Sequence, residues 1–140
     1  MPSSHDLDSL CVAVRSAARL KYLFFWSHIP AHATQLGKEC LSQWYATAFV
    51  IDGLQFPTAE HYMMFRKATL FGDSAKFSQS IPLRDFLLNT QERVLVEASP
   101  VDRIWGIGLA ADDSEVANPP KWRGLNLLGF ALMDVRERLR

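Results

Sequence analysis

Residues 49–68 read FVIDGLQFPTAEHYMMFRKA, and this stretch decides the fold because it sets a tight hairpin directly against a helix. Asp52-Gly53, flanked by two apolar runs, matches a two-residue type I′ turn, which needs positive φ at both positions. Pro57-Thr58 closes the second strand, and Thr58 can cap the following helix, expected over residues 59–70, by accepting a backbone N–H from its first turn. Glu60 lies in that turn. Glu60, Met63, Met64 and Lys67 recur at i, i+3, i+4 and i+7, so one face would carry an acid and an amine roughly 10 Å apart along the axis. That span suits gripping a sugar between them. The helix is expected to stop at Phe71-Gly72-Asp73, with a further helical turn or two over residues 74–80.

Working outward, Leu7, Leu10, Cys11, Val14 and Ala18 fall at helical spacing, with Arg15 and Arg19 placed to suit the macrodipole, so residues 1–20 read as a docking helix or extension. Residues 22–26, YLFFW, read as a buried strand, followed by a looser stretch over residues 27–40. Pro82 opens a helix through Leu88, residues 93–98 alternate like a short strand, and Ser99-Pro100 breaks it. Residues 110–123 form a polar loop with Asp112, Asp113, Glu115 and Pro119-Pro120, and residues 125–139 form a long terminal helix. The sum is an α+β fold, a predominantly helical single domain with a small antiparallel sheet.

Composition bounds the function. With 140 residues, 49% of them hydrophobic, the chain can bury a core without disulfides or metal. Fifteen basic and fifteen acidic residues leave no net charge, which argues against a long nucleic-acid surface held by phosphate neutralisation. Cys11 and Cys40 lack CxxC spacing and read as reduced thiols, and no apolar run reaches the length of a membrane span or signal core, so a cytoplasmic location is expected. His28 and His32 have i, i+4 spacing, but Pro30 between them opposes the helix that would align the rings, so no metal site is expected. There is no GxSxG elbow, GxxxxGK[ST] loop or GxGxxG turn to support a serine hydrolase or a nucleotide-binding fold.

Four motifs then occur in order: LSQWY (residues 41–45), F-x-x-DG-x-x-x-PTAEHYMMFRKA (residues 49–68), SPVDRIWGIG (residues 99–108) and LNLLGFALMDVRERL (residues 125–139). Together they resemble the NADAR, or YbiA-like, family, and the resemblance covers residues 21–140. It implies a YbiA-like fold and an N-glycosidase that hydrolyses the bond between ribose and a nitrogenous base, either in riboflavin-pathway intermediates or in ADP-ribose linked to guanine. It implies no cofactor, no membrane association, and as partner a ribosylated small molecule or an ADP-ribosyl nucleic acid. The glutamate of the family's EHY motif corresponds to Glu60, the lysine after it to Lys67, the D-x-x-WG motif to residues 102–106 and the asparagine of N-x-LG to Asn126. Glu60, Lys67 and Asp102 are the implied catalytic residues. Phe24, Gln43, Trp44, His61, Trp105, Gly106 and Asn126 are the implied substrate-binding residues. Gln43 and Trp44 stand where the family commonly reads LSNFY, and Met64 where many members have glutamine. Similar proteins also carry several dozen further residues between the positions of Asp73 and Lys76, which implies an internal deletion near residues 73–76.

The chemistry can be argued from residue types as well. Cleaving a ribose–base bond passes through an oxocarbenium-like anomeric carbon, which Glu60 or Asp102 could stabilise as a carboxylate, or toward which either could activate water. A lysine amine offers a second route, forming a Schiff base with ring-opened ribose. Trp105 and Trp44 could stack on a base, Gly106 and Gly108 admit a phosphate to backbone amides, and Asn126 bond ribose hydroxyls. Each has a plainer reading. Glu60 can simply complement the helix dipole, Lys67 can lie solvated near a helix end, His61 can be structural, Asp102 can cap the turn at residues 103–105, Trp105 can pack, and Asn126 can cap the terminal helix. Arg136 and Arg138 read as a solvated face. Two other classes stay open: a module that binds ADP-ribose or a nucleotide without cleaving it, and a marginally folded shortened chain.

Overall fold

The computed structural model describes residues 6–60 and 69–140, with backbone alone for residues 69–72. Two compact units are formed, one from Met1–Trp26 and Glu92–Asp134, the other from Ser27–Gln91 and Val135–Arg140.

The first unit begins with α1 (Leu7–Arg15). Asp6 caps it by accepting from the Ser9 N–H at 2.7 Å, and Asp8 and Arg15 carry the charges that suit its two ends. It ends before Ala17, whose φ is 60°, so Ala18 falls outside the helix and is exposed while Leu10, Cys11 and Ala13 are buried. Strand β1 (Tyr22–Phe25) pairs in parallel with β4 (Val94–Glu97), Tyr22 opposite Val94 and Phe25 opposite Glu97. This parallel pair was not anticipated. Val94, Leu95 and Val96 are all buried, so β4 lacks the alternation expected of residues 93–98 and is covered on both faces, as parallel strands usually are. Within β1 only Phe25 is fully buried; Tyr22, Leu23 and Phe24 are half-buried, and Trp26 lies exposed beyond the strand. The terminal helix, α4 (Leu127–Leu139), starts two residues later than expected because Asn126 takes a left-handed φ of 54°.

The second unit holds β2 (Phe49–Ile51) and β3 (Leu54–Phe56), the small antiparallel sheet expected from the sequence. Asp52 and Gly53 have φ of 52° and 78°, the left-handed pair that a type I′ turn requires. Phe49 and Phe56 stack with centroids 5.9 Å apart and bury the hairpin's inner face with Ala59. On the outer edge the Gln79 amide accepts from the Val50 N–H and donates to the Val50 carbonyl, both at 2.8 Å, so a side chain substitutes for a neighbouring strand.

Helix α2 (Thr69–Ser78) corrects the reading of residues 71–73 as a helix stop. Gly72 sits inside helical backbone, where glycine costs only about 1 kcal/mol relative to alanine, and burial of Phe77 on the following turn outweighs that. Helix α3 (Ile81–Asn89) opens with Pro82 in its first turn, as expected. Arg136 is a second correction. It is buried, 4% exposed, rather than part of a solvated face, and its guanidinium donates to Thr90 Oγ1 at 2.8 Å, while Arg138 is exposed.

Two glycines separate backbone strain from close packing. A methyl at Gly53 would meet nothing within 4 Å, so Gly53→Ala carries only the cost of a positive φ, about 1–2 kcal/mol. A methyl at Gly129, inside α4, would collide with the Leu95 carbonyl oxygen and the Asn126 amide, so Gly129→Ala is expected to cost clearly more. Urea unfolding of both variants checks the order; equal losses would contradict this packing.

Candidate functional site

The second unit gathers one group of candidate residues around the LSQWY segment. A short 3-10 turn, Lys38–Leu41, delivers Ser42 and Gln43 into buried positions, with Trp44 51% exposed. The Gln43 carbonyl accepts from the Glu60 N–H at 2.9 Å. Two residues with sixteen between them are therefore tied backbone to backbone, and Glu60, half-buried and helical, is held against Gln43. Thr58, directly before that helical turn, is buried. His61 and Lys67 lie outside the described residues, so the Glu60-to-Lys67 face does too.

Beneath this segment sits a charged pair that the sequence reading missed. Asp73 and Lys76, one turn apart on α2, are 0% and 1% exposed. Lys76 Nζ donates to the Ser42 carbonyl at 2.8 Å and lies 5.1 Å from the Phe77 ring centroid and 5.6 Å from that of Tyr45. Neither Asp73 oxygen accepts a hydrogen bond among the described residues. Burial lowers the Lys76 amine below its ordinary range, opposed by the Asp73 charge, and burial raises the Asp73 carboxyl, opposed by Lys76. Burial also pushes the Cys40 thiol up to about 12, so it stays protonated. The signal available in the sequence was an i, i+3 acid–base pair ahead of Phe77, but such pairs are usually solvated.

The first unit gathers the other group. Asp102 Oδ1 accepts from the Ile104 and Trp105 N–H groups at 2.9 and 2.8 Å, so this carboxylate does cap the turn that presents Trp105. Trp105 is half-buried. Gly106 is buried, and a methyl there would come within 3.0 Å of the Glu97 and Asp102 carbonyl oxygens and of Ser99 Cβ. Its glycine identity thus serves close backbone packing. Asn126 is 0% exposed; its side-chain oxygen accepts from the Glu97 N–H at 2.9 Å and its side-chain nitrogen donates to the Leu95 carbonyl at 3.0 Å. Rather than capping α4, that amide clips the start of the helix onto β4. Phe24, also in this unit, stacks with Tyr22, centroids 5.7 Å apart and planes inclined by 8°. Among the described residues no group of three or more His, Cys, Asp or Glu could hold a metal, and His28 and His32 sit in irregular chain. None of the described helices is long and apolar enough to cross a membrane.

Comparison with known proteins fits this arrangement. The NADAR domain family matches residues 73–140. An N-glycosidase of Acanthamoeba polyphaga mimivirus is 34% identical over 165 aligned residues, covering 84% of this chain and 95% of that protein. The irg-1 protein of Caenorhabditis elegans is 50% identical over 64 residues, covering 46% of this chain and 30% of that protein. An N-glycosidase of Nostoc punctiforme is 43% identical over 65 residues, covering 46% of this chain and 35% of that protein. The NMR structure of the Escherichia coli protein YbiA superposes with a TM-score of 0.62 at 22% identity, covering 86% of each chain, and shares the α+β fold. This chain belongs to the NADAR family.

The Asp73–Lys76 pair gives two expectations. Lys76→Met alone leaves a buried carboxylate without its counter-charge and should cost about 3 kcal/mol, while the double variant Asp73→Leu with Lys76→Met should recover most of that loss, as chemical denaturation would show. A double variant as unstable as the single one would contradict the pairing. The fold favours a neutral Asp73, so its stability contribution is full below the ordinary value of 3.8 and is lost as pH rises through the raised native value. The fold also favours a neutral Lys76, so stability is regained as pH climbs from the lowered native value toward 10.5. Subtracting the double variant's pH–stability curve from that of the wild type should show both limbs.

Proposed function

We propose that this chain is an N-glycosidase that hydrolyses the bond between a ribose and a nitrogenous base. The observation that carries the reading is the Gln43–Glu60 backbone bond, which holds the acid of the EHY motif beside the LSQWY segment and its exposed Trp44. The mimivirus and Nostoc relatives, both named N-glycosidases, support it.

In this mechanism Lys67 is the nucleophile. Its amine adds at the anomeric carbon as the carbon–nitrogen bond to the base breaks, and Glu60 delivers a proton to the departing base. The sugar ring opens to a Schiff base on Lys67, and water then hydrolyses that adduct, returning the free amine and releasing the sugar. Trp44 and Trp105 are each candidates to supply a face for the heterocycle, and His61, Phe24 and Gln43 are the further candidate substrate-binding residues. Asp102, Gly106 and Asn126 act as positioning groups for the Trp105 loop. The two substrate classes to try are N-ribosylated pyrimidine phosphates of the riboflavin pathway and ADP-ribosylated guanine.

A second reading, a module that binds such a ligand without cleaving it, draws on the alignment. The mimivirus match spans 165 positions but only 84% of 140 residues, so several dozen positions of that relative face no residue here. We place that internal deletion near residues 73–76, where the family match begins.

Base release from the two substrate classes tests both readings. The wild type should release base from at least one of them, Glu60→Gln should slow release about 10²- to 10⁴-fold, and Lys67→Ala should abolish it while leaving binding in place. Borohydride should trap a covalent sugar adduct on the wild type and not on Lys67→Ala. Binding of both substrates without base release from either would replace the enzyme reading with the second one.

A further inference from the structure

The loop at residues 102–108 and the stretch at residues 123–128 are zipped together. The N–H groups of Arg123, Leu125, Asn126, Leu127 and Leu128 donate in turn to the carbonyls of Ile107, Arg103, Gly106, Ile104 and Trp105, at 2.9 to 3.2 Å. This zipper fixes where two arginines leave the backbone. At Gly108, whose φ is +69°, the position of a missing methyl lies 3.0 Å from Arg123 Cβ and 3.2 Å from Arg103 Cγ. Both stems therefore border the same small space, which only glycine leaves open. Both arginines are exposed. Neither guanidinium makes a hydrogen bond or ion pair among the described residues, and the adjoining acid, Asp102, has an oxygen engaged by the Ile104 and Trp105 amides.

Two cations on adjoining stems with no counter-ion among the described residues repel each other, and a bound dianion would turn that repulsion into attraction. A guanidinium presents a planar fork of donors that matches phosphate oxygens two at a time, so a pair can engage a phosphate from two sides. In a chain with no net charge the effect is local, confined to the loop that carries Trp105. We propose that Arg103 and Arg123 form a phosphate clamp, taking the phosphate of a ribosyl ligand, either a monoester on the ribose or the diphosphate of a dinucleotide-like ligand. The clamp rests on the ribosyl-ligand reading given above, and it adds an anchor away from the anomeric carbon. Binding energy gained there positions the sugar without taking part in bond breaking.

Calorimetric titration of the full chain with ribose 5-phosphate, ADP-ribose and phosphate-free adenosine tests it. The variants are Arg103→Gln, Arg123→Gln, the double change, and Arg138→Gln as an exposed-arginine control. At least one phosphorylated probe should bind the wild type, and the tighter one identifies the monoester or the diphosphate as the source. Each single variant should weaken that probe about tenfold and the double variant further, with adenosine and Arg138→Gln unaffected and the unfolding temperature unchanged. The double variant should also show a shallower dependence of affinity on salt. The proposal is overturned if neither phosphorylated probe binds the wild type, if the double variant binds them as well as the wild type does, or if Arg138→Gln loses as much as either clamp variant. Because binding is read without turnover, the clamp can stand where base release fails. Base release with a KM unmoved in the double variant would remove the clamp and leave the glycosidase reading intact.

Discussion

At Gly129 a helix meets a strand with no side chain between them, and the first unit is organised around that contact. The Leu95 carbonyl occupies the space a Cβ would need, and the Asn126 side chain bonds the Leu95 carbonyl and the Glu97 N–H on either side of it. The three-residue spacing of asparagine and glycine follows from this, since only one turn of helix separates the clip from the contact. Once α4 is seated there, the segment leading into it is positioned to zip against the residue 102–108 loop. Asp102 caps the turn, Gly106 lets the backbones close, and Trp105 is presented half-buried at the surface of a rigid scaffold. Residues that look like ligand contacts in a motif are here largely the framework for their neighbours.

In the second unit the equivalent burden falls on a buried amine. Lys76 has left water to reach one carbonyl, that of Ser42, and a cation loses several kcal/mol of hydration in such a move unless it is compensated. Compensation comes from the hydrogen bond, from the nearby Asp73 charge and from the faces of Tyr45 and Phe77. The Ser42 carbonyl is one peptide away from the Gln43 carbonyl that holds Glu60, so the cost is borne where a candidate catalytic acid is set in place. Local instability of this kind is common where polar groups must be fixed at a site. The proton preferences of Asp73 and Lys76 make the unit responsive to pH through groups that never reach solvent.

The stretch at residues 73–76 is an integral part of the second unit. Helix α2 runs unbroken through residues 73–76, and both residues that flank this stretch point their charges into the unit's interior. In the same unit the hairpin pairs Phe49 with Phe56, and the Glu60 N–H is bonded to the LSQWY segment.

Short-range rules made much of this legible from sequence. Asp52-Gly53 specified its turn because few residue pairs tolerate two left-handed conformations, Pro82 marked a helix start because its missing N–H costs nothing there, and the uninterrupted apolar run at residues 22–26 marked β1. Glu60, Gln43, Trp44 and Asp102 could be singled out by motif, although whether Asp102 capped a turn was decided only by its distances to two amides. Tertiary structure alone decided that β1 and β4 run parallel, that Gly72 passes through a helix, that Arg136 and Lys76 are buried, and that Asn126 serves a strand. The reason is one of range. Backbone conformation and periodicity are set by neighbours a few residues away, whereas burial of a charge and the partner of an amide depend on groups tens of positions distant, 46 in the case of Thr90 and Arg136, that only folding brings within reach.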